Sequence, residues 1–368
     1  MRTCLFSFLL LAASAPYVLA HHSMAAAYDD KKPVTLKGVV TKFDWTNPHV
    51  FVFVDVTAAN GDVTNWAVEL PSRVELKRDG WSKDSVNVGD SLTVEGSSAR
   101  DSSKAIGGKQ LTLATGKKLS AIPAAMPVKQ ASKPTPRWPD GHPRLGFVPQ
   151  ETGYWAGVPG SNLLEAGANV SMNAEGLLLN IADAAKVAPF QPWAKGLYEY
   201  RQRNLLKDDP MASCLPPGGP RQFQTANGIQ IVEEPERKRV FVMSGGGNRN
   251  WRLINLDARA HQPDDVIPTY YGDSVGKWEG DTLVIDSIGF NERFWFANGG
   301  LPHTETLHLT ERISRPDFNT LKYEVQVTDP GAYTRPWSAS LMLQWVPNQE
   351  IEEYFCDEYN RDQEHTEK

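Results

Sequence analysis

The chain has 368 residues and a formal net charge of −6, with 38 Lys and Arg against 44 Asp and Glu. That length exceeds what one hydrophobic core usually serves, so more than one domain is expected. The mixed, mildly acidic charge argues against a nucleic-acid binder, which carries a basic stripe. An aromatic content of 10% argues against disorder, which lacks the apolar surface to offset chain entropy.

Residues 1–20 read as a secretory signal peptide. Arg2 precedes an apolar run from Leu5 to Ala13, and Val18 and Ala20 are small residues placed for cleavage. The run is shorter than the ~20 residues needed to cross a bilayer, and no later segment reaches that length. A periplasmic or secreted protein without a membrane span is expected. Cleavage after Ala20 removes Cys4 and leaves Cys214 and Cys356. In an oxidising compartment that pair reads as one disulfide. Closing a loop of this length contributes on the order of 4 kcal/mol by chain entropy. Two separate buried thiols are the rival reading.

Residues 21–120 read as a small β-barrel domain. Val34 to Phe43 alternates apolar and polar residues, and Val50 to Val56 is β-branched and aromatic. Ala59-Asn60-Gly61-Asp62 is a hairpin turn before Val63 to Leu70. Ser72 to Asp79 predicts a short helix; Val88 to Gly96 and Lys109 to Leu113 complete about five strands. An oligonucleotide/oligosaccharide-binding (OB) type of barrel is expected. Seven prolines fall between Pro123 and Pro149, so residues 121–150 read as an extended linker or strap.

Residues 151–368 read as a larger antiparallel β-barrel or curved sheet, lipocalin-like in the loose sense. One substantial helix is expected within Ala182 to Tyr200. Arg239 to Met243 and Trp251 to Leu256 flank the Gly245-Gly246-Gly247-Asn248 run. A strand, not a helix, follows those glycines, so they form a hairpin turn and not a phosphate loop. Val275 to Trp278, Thr282 to Asp286, Thr306 to Ile313, Thr320 to Thr328, Ala339 to Val346 and Glu350 to Cys356 continue the pattern, for seven or eight strands. The chain has no Gly-x-Ser-x-Gly elbow, His-Glu-x-x-His or nucleotide fingerprint.

Three groups of residues can carry chemistry. His303 and Glu305 would share one face of a strand, with His308, Thr310 and Arg312 on the other. His261 and Asp273 add a second imidazole and carboxylate, and a His beside a carboxylate can act as a general acid/base near neutral pH. Asn250, Arg252, Tyr270, Trp278 and Trp295 are candidates for substrate binding. An Arg among apolar neighbours needs an anionic partner, for which Asp273 and Glu279 are available. Finally, cleavage after Ala20 would expose His21, His22 and Ser23. The α-amine and imidazole of His21, the imidazole of His22 and that of His49 would suit Cu(II); a solvated terminus is the bland reading.

His21-His22-Ser23, Val34-Thr35-Leu36-Lys37-Gly38-Val39-Val40 and Trp45-Thr46-Asn47-Pro48-His49 resemble a family of secreted bacterial proteins known only as a domain of unknown function. The second unit is similar to an uncharacterised β-rich companion region, through Gly272 to Val284, Asp329 to Thr334 and Glu353 to Cys356. The resemblance implies a recurring secreted architecture and places His21, His22 and His49 in the matched motif. It implies no activity.

The leading functional expectation is an acid/base enzyme without an organic cofactor, of lyase, isomerase or hydratase type, acting on a small apolar or aromatic molecule. The alternatives are a periplasmic copper-binding protein and a non-catalytic carrier of a hydrophobic ligand.

Overall fold

The computed structural model describes residues 24–122, 133–149, 151–157, 162–173, 175–225, 227–246, 250–261 and 267–356. In the first unit a short helix, α1 (Met24–Ala27), runs straight into β1 (Tyr28–Asp44). There follow β2 (Val50–Thr57), β3 (Val63–Leu70), α2 (Arg73–Arg78), β4 (Ser91–Ala99), β5 (Ala105–Leu113) and β6 (Lys118–Ser120). The β-branched alternation of β2 buries Val50, Val52 and Val54 completely on one face. Helix α2, the short helix predicted between Ser72 and Asp79, starts at a reciprocal capping box between Ser72 and Glu75. It stops at Gly80, whose φ of +86° few other residues tolerate.

Strand β1 pairs antiparallel with both β2 and β4, β2 with β3, and β4 with β5. A parallel ladder from Ala67↔Ala105 to Glu69↔Gly107 joins β3 to β5 and closes the ring. This is the connectivity expected of an OB-type barrel, with α2 between β3 and β4.

The second unit holds β7 (Gly153–Gly157), α3 (Pro192–Arg203), β8 (Ile229–Glu234), β9 (Arg239–Ser244), β10 (Trp251–Asn255), β11 (Asp273–Glu279), β12 (Thr282–Ile288), β13 (His308–Asp317), β14 (Thr320–Thr328) and β15 (Trp337–Pro347). They form a closed barrel in the order β10-β11-β12-β13-β14-β15-β7-β8-β9. Nine strands close it where seven or eight were expected. Every neighbouring pair is antiparallel except β10 and β11, which meet in parallel at Asn255↔Val275. Strands β9 and β10 pair with Met243 opposite Trp251, the hairpin expected around the glycine run.

One expectation needs correction. Glu350 to Cys356 is not a strand: β14 and β7 already occupy both edges of β15, so this segment has no edge to join. The substantial helix expected within Ala182 to Tyr200 is α3, Pro192–Arg203, which runs three residues further. A 3₁₀ turn covers Ile181–Lys186, and α3 begins only at Pro192, a residue suited to a first helical position.

Inward positions alternate along the strands, and Leu283 and Ile285, Leu309 and Ile313, and Leu321 and Val325 are all buried. The Arg315 guanidinium lies 4.7 Å from the Trp155 ring and 5.2 Å from Trp345. Burial lowers its pKa to about 10. Residues 133–149 lie against this barrel as a strap. Glu233 accepts from Trp138 Nε1 (3.0 Å) and from the backbone N–H groups of Leu145 (2.8 Å) and Gly146 (3.1 Å). Arg315 donates back to the carbonyl of Arg144 at 2.8 Å.

Candidate functional site

The outer face of the large barrel follows from the same alternation. On β12, Leu283, Ile285 and Ser287 face inward, so Asp286 faces out; on β13, Leu309 and Glu311 face inward, so His308 and Thr310 face out. Asp286 lies opposite Val275 of β11 and Thr310 of β13. Asp273 and His308 are therefore its diagonal neighbours, at a spacing of ~7–8 Å that an imidazole can bridge.

The side chains do bridge it. His261, from the crossover between β10 and β11, places Nδ1 2.6 Å from Asp273 Oδ2 and Nε2 3.1 Å from Asp286 Oδ2. His308 Nε2 lies 2.6 Å from Asp286 Oδ1. The result is one hydrogen-bonded chain, Asp273–His261–Asp286–His308. His261 is mostly enclosed, with 15% of its side chain exposed, whereas His308 is 44% exposed. Asp286 holds the His308 ring through Nε2, and among the described residues nothing hydrogen-bonds to Nδ1 of His308. The Arg259 guanidinium is paired with Asp257 and also feels the Asp273 carboxylate; both hold its pKa above the usual value.

Sequence reasoning singled out His261 and Asp273, and the structure joins them. It missed Asp286 and His308 as site members. The signal was a lone carboxylate ending the apolar run Thr282-Leu283-Val284-Ile285, one strand away from an outward-facing His.

The structure does not bring the other candidates into this chain. His303 and Glu305 precede β13 in a loop, so they do not share a strand face. His303 is buried against Phe294 (ring centroids 4.3 Å apart), with Nε2 3.1 Å from the Phe294 carbonyl and Nδ1 3.3 Å from that of Thr304. Burial lowers its pKa. Glu305 is exposed.

Arg252 sits inside the barrel, and its partner is neither Asp273 nor Glu279. It grips Glu311 with two nitrogens, donates to Ser274 Oγ (3.0 Å) and Ser287 Oγ (2.7 Å), and Tyr323 donates to the same carboxylate at 2.8 Å. Glu279 instead pairs on the surface with Lys277 and Arg312. Burial opposes the charge of Arg252, but the Glu311 carboxylate outweighs it and keeps the pKa raised. The remaining substrate-binding candidates are dispersed. Asn250 accepts from the Tyr271 hydroxyl. Tyr270 packs near Phe294 (6.3 Å), Trp278 stacks on His142 of the strap (4.9 Å), and Trp295 is buried under Arg201 (4.8 Å).

In the small barrel, His49 Nδ1 lies 3.1 Å from Glu69 Oε1 and 3.3 Å from the Leu70 carbonyl. Tyr28 donates to the other oxygen of Glu69 at 2.5 Å. His21 and His22 lie outside the described residues. Among the described residues no three His, Cys, Asp or Glu side chains are grouped to hold a metal ion. Nor is any helix there long and apolar enough to cross a membrane. Cys214 and Cys356 form a disulfide, with Cα atoms 5.5 Å apart.

Comparison with known proteins adds one match. No curated protein and no solved structure matches the chain. Residues 9–108 match a family of unknown function (DUF6152), which covers most of the small barrel.

Proposed function

We propose that the large barrel is an acid/base enzyme of lyase, isomerase or hydratase type, with His308 as the proton-transferring group. The Asp273–His261–Asp286–His308 chain carries this reading. Asp286 orients His308 through Nε2, which leaves Nδ1 as the basic nitrogen facing outward. His261 and Asp273 fix Asp286 in turn, so the pair is held by bonds that need no substrate. His308 would take a proton from a carbon beside a carbonyl. It would return it to the neighbouring carbon in an isomerisation, or to a departing hydroxyl as water in an elimination. Such catalysis contributes ~10²–10⁴-fold.

The surroundings favour a hydroxylated substrate over the apolar one expected from the aromatic content. Thr310, Gln326 and Thr328 lie beside the site on the same outer face. Phe290, Phe294, Trp295, Phe296, Tyr333 and Trp337 are instead buried in the core.

The test is solvent deuterium incorporation, followed by NMR, in a panel of β-hydroxycarbonyl and hydroxyketone compounds incubated in D₂O. The wild-type protein should label at least one of them, and His308→Ala and Asp286→Asn should slow that labelling ~10²-fold or more with unchanged circular dichroism. No labelling of any compound, or labelling undiminished in His308→Ala, would remove this reading.

A further inference from the structure

Helix α3 buries Ala194, Tyr198 and Gln202 at helical spacing. Arg201 neighbours Tyr198 one turn on and is only half-buried, at the margin of that face. The loop before β13 crosses this margin at Gly300, whose φ is +85° and where a Cβ would lie 3.0 Å from Arg201 Cδ. The same loop holds the guanidinium, which lies 4.8 Å from the Trp295 ring and donates from Nη1 to the Gly300 carbonyl at 2.9 Å. Its other N–H groups have no acceptor among the described residues, and no carboxylate there pairs with it. Asp209 acts on it from further off, but both oxygens of that carboxylate are taken by Arg221. Arg201 is thus a cation without a counter-ion, and burial lowers its pKa to about 10.

The hydroxyl of Tyr198 is also unanswered: it is completely buried and no polar group meets it. Tyr198 stacks on Phe190 (5.2 Å), Phe190 packs on Tyr333 (5.7 Å), and Tyr333 on Trp337 (5.3 Å), whose Nε1 is buried without an acceptor as well. Arg201 and Tyr198 both act on the Tyr333 phenol, whose own hydroxyl is already used by the Pro302 carbonyl at 2.7 Å. Buried polar groups are normally hydrogen-bonded. A cation and a hydroxyl left open one helical turn apart, with no acceptor between them, point to an acceptor that comes from outside the chain. We propose that Arg201 and Tyr198 bind the carboxylate of a small aromatic acid. Arg201 takes it through its open N–H groups and Tyr198 donates to it, a charge-assisted pairing. A monoanion answers one uncompensated guanidinium, whereas a doubly charged phosphate would bring in a charge with no partner. The ring of Phe190 is only half-buried and offers surface for the aromatic body. The site uses none of the groups in the Asp273–His261–Asp286–His308 chain and does not depend on the activity proposed for it.

The experiment titrates the whole protein by calorimetry with benzoate, phenylacetate and 4-hydroxybenzoate. Benzamide and benzyl alcohol serve as uncharged counterparts, and inorganic phosphate as a competing anion. At least one of the carboxylates should bind saturably and raise the melting temperature, and the uncharged compounds and phosphate should not. Arg201→Gln should weaken that binding ~10–100-fold, the contribution of hydrogen bonds to a charged group. Tyr198→Phe keeps the test decisive if Arg201→Gln fails to fold, because it removes a hydroxyl that has no partner in the free chain. It should leave the melting temperature of the free protein unchanged or higher, yet weaken the carboxylate ~10-fold. No binding of any carboxylate, equal binding of benzamide, preferential binding of phosphate, or undiminished binding in either variant would each overturn the proposal.

Discussion

His303 shows how a single residue changes meaning with its surroundings. Next to Pro302 and Glu305 it looks like an acid/base group, but both its ring nitrogens face backbone carbonyls among the Phe294 and Phe296 rings. Burial penalises the protonated ring and lowers its pKa. The unfolded chain therefore takes up a proton near pH ~6.5 that the native state resists. The stability contributed by neutral His303 is full above that pH and is lost as the pH falls through its lower native pKa. Melting temperatures across pH 7.5 to 4.5 should fall more steeply in the wild type than in His303→Gln. Parallel curves would show that the ring is not held neutral.

Among the elements, β10 to β14 carry the most consequential polar contact in the large barrel. Arg252 and Glu311 are both completely buried and depend on each other. Arg252→Met alone would leave Glu311 as an unpaired buried charge and should destabilise the protein by about 3–5 kcal/mol. Adding Glu311→Leu should recover most of that loss, as read by urea unfolding. A single variant no worse than the double would mean that the pair contributes little. The need for an anionic partner was legible at Arg252, but which carboxylate answers it was not. Glu311 lies 59 residues along the chain, on a strand brought near only when β10 closes on β11. The same holds for the outer chain, where Asp286 and His308 become partners only through the register of β12 on β13.

In the whole molecule, the segment after β15 joins the two barrels. Glu352 pairs with Arg73 and Lys77 of α2, the Glu353 carbonyl accepts from Asn47 at 3.2 Å, and Cys356 is tied to Cys214. Val74, Tyr154, Ala156 and Val346 form a small apolar cluster between the barrels, with Ile351 packed against it. Partly exposed ion pairs contribute little by themselves, so the disulfide and this cluster should dominate the coupling. Cys214→Ser with Cys356→Ser should cost about 5 kcal/mol by loop entropy. It should also raise hydrogen exchange in α2 and β7 while β12 to β14 stay protected. Unchanged exchange in α2 would show that the two barrels are held together without the bond.

The sequence by itself determined the β-rich class, the division into two β units, the short helix α2 and the glycine turn between two strands, and it favoured a disulfide between the two later cysteines. These depend on local patterns: period-two alternation, turn residues and a count of two. Only the tertiary structure decided the strands β7 and β8, the parallel closure, the partner of Arg252 and the burial of His303. It also decided which carboxylates meet His261 and His308. Those outcomes are contacts between residues distant in sequence, and they follow from strand register and barrel closure, which no local pattern records.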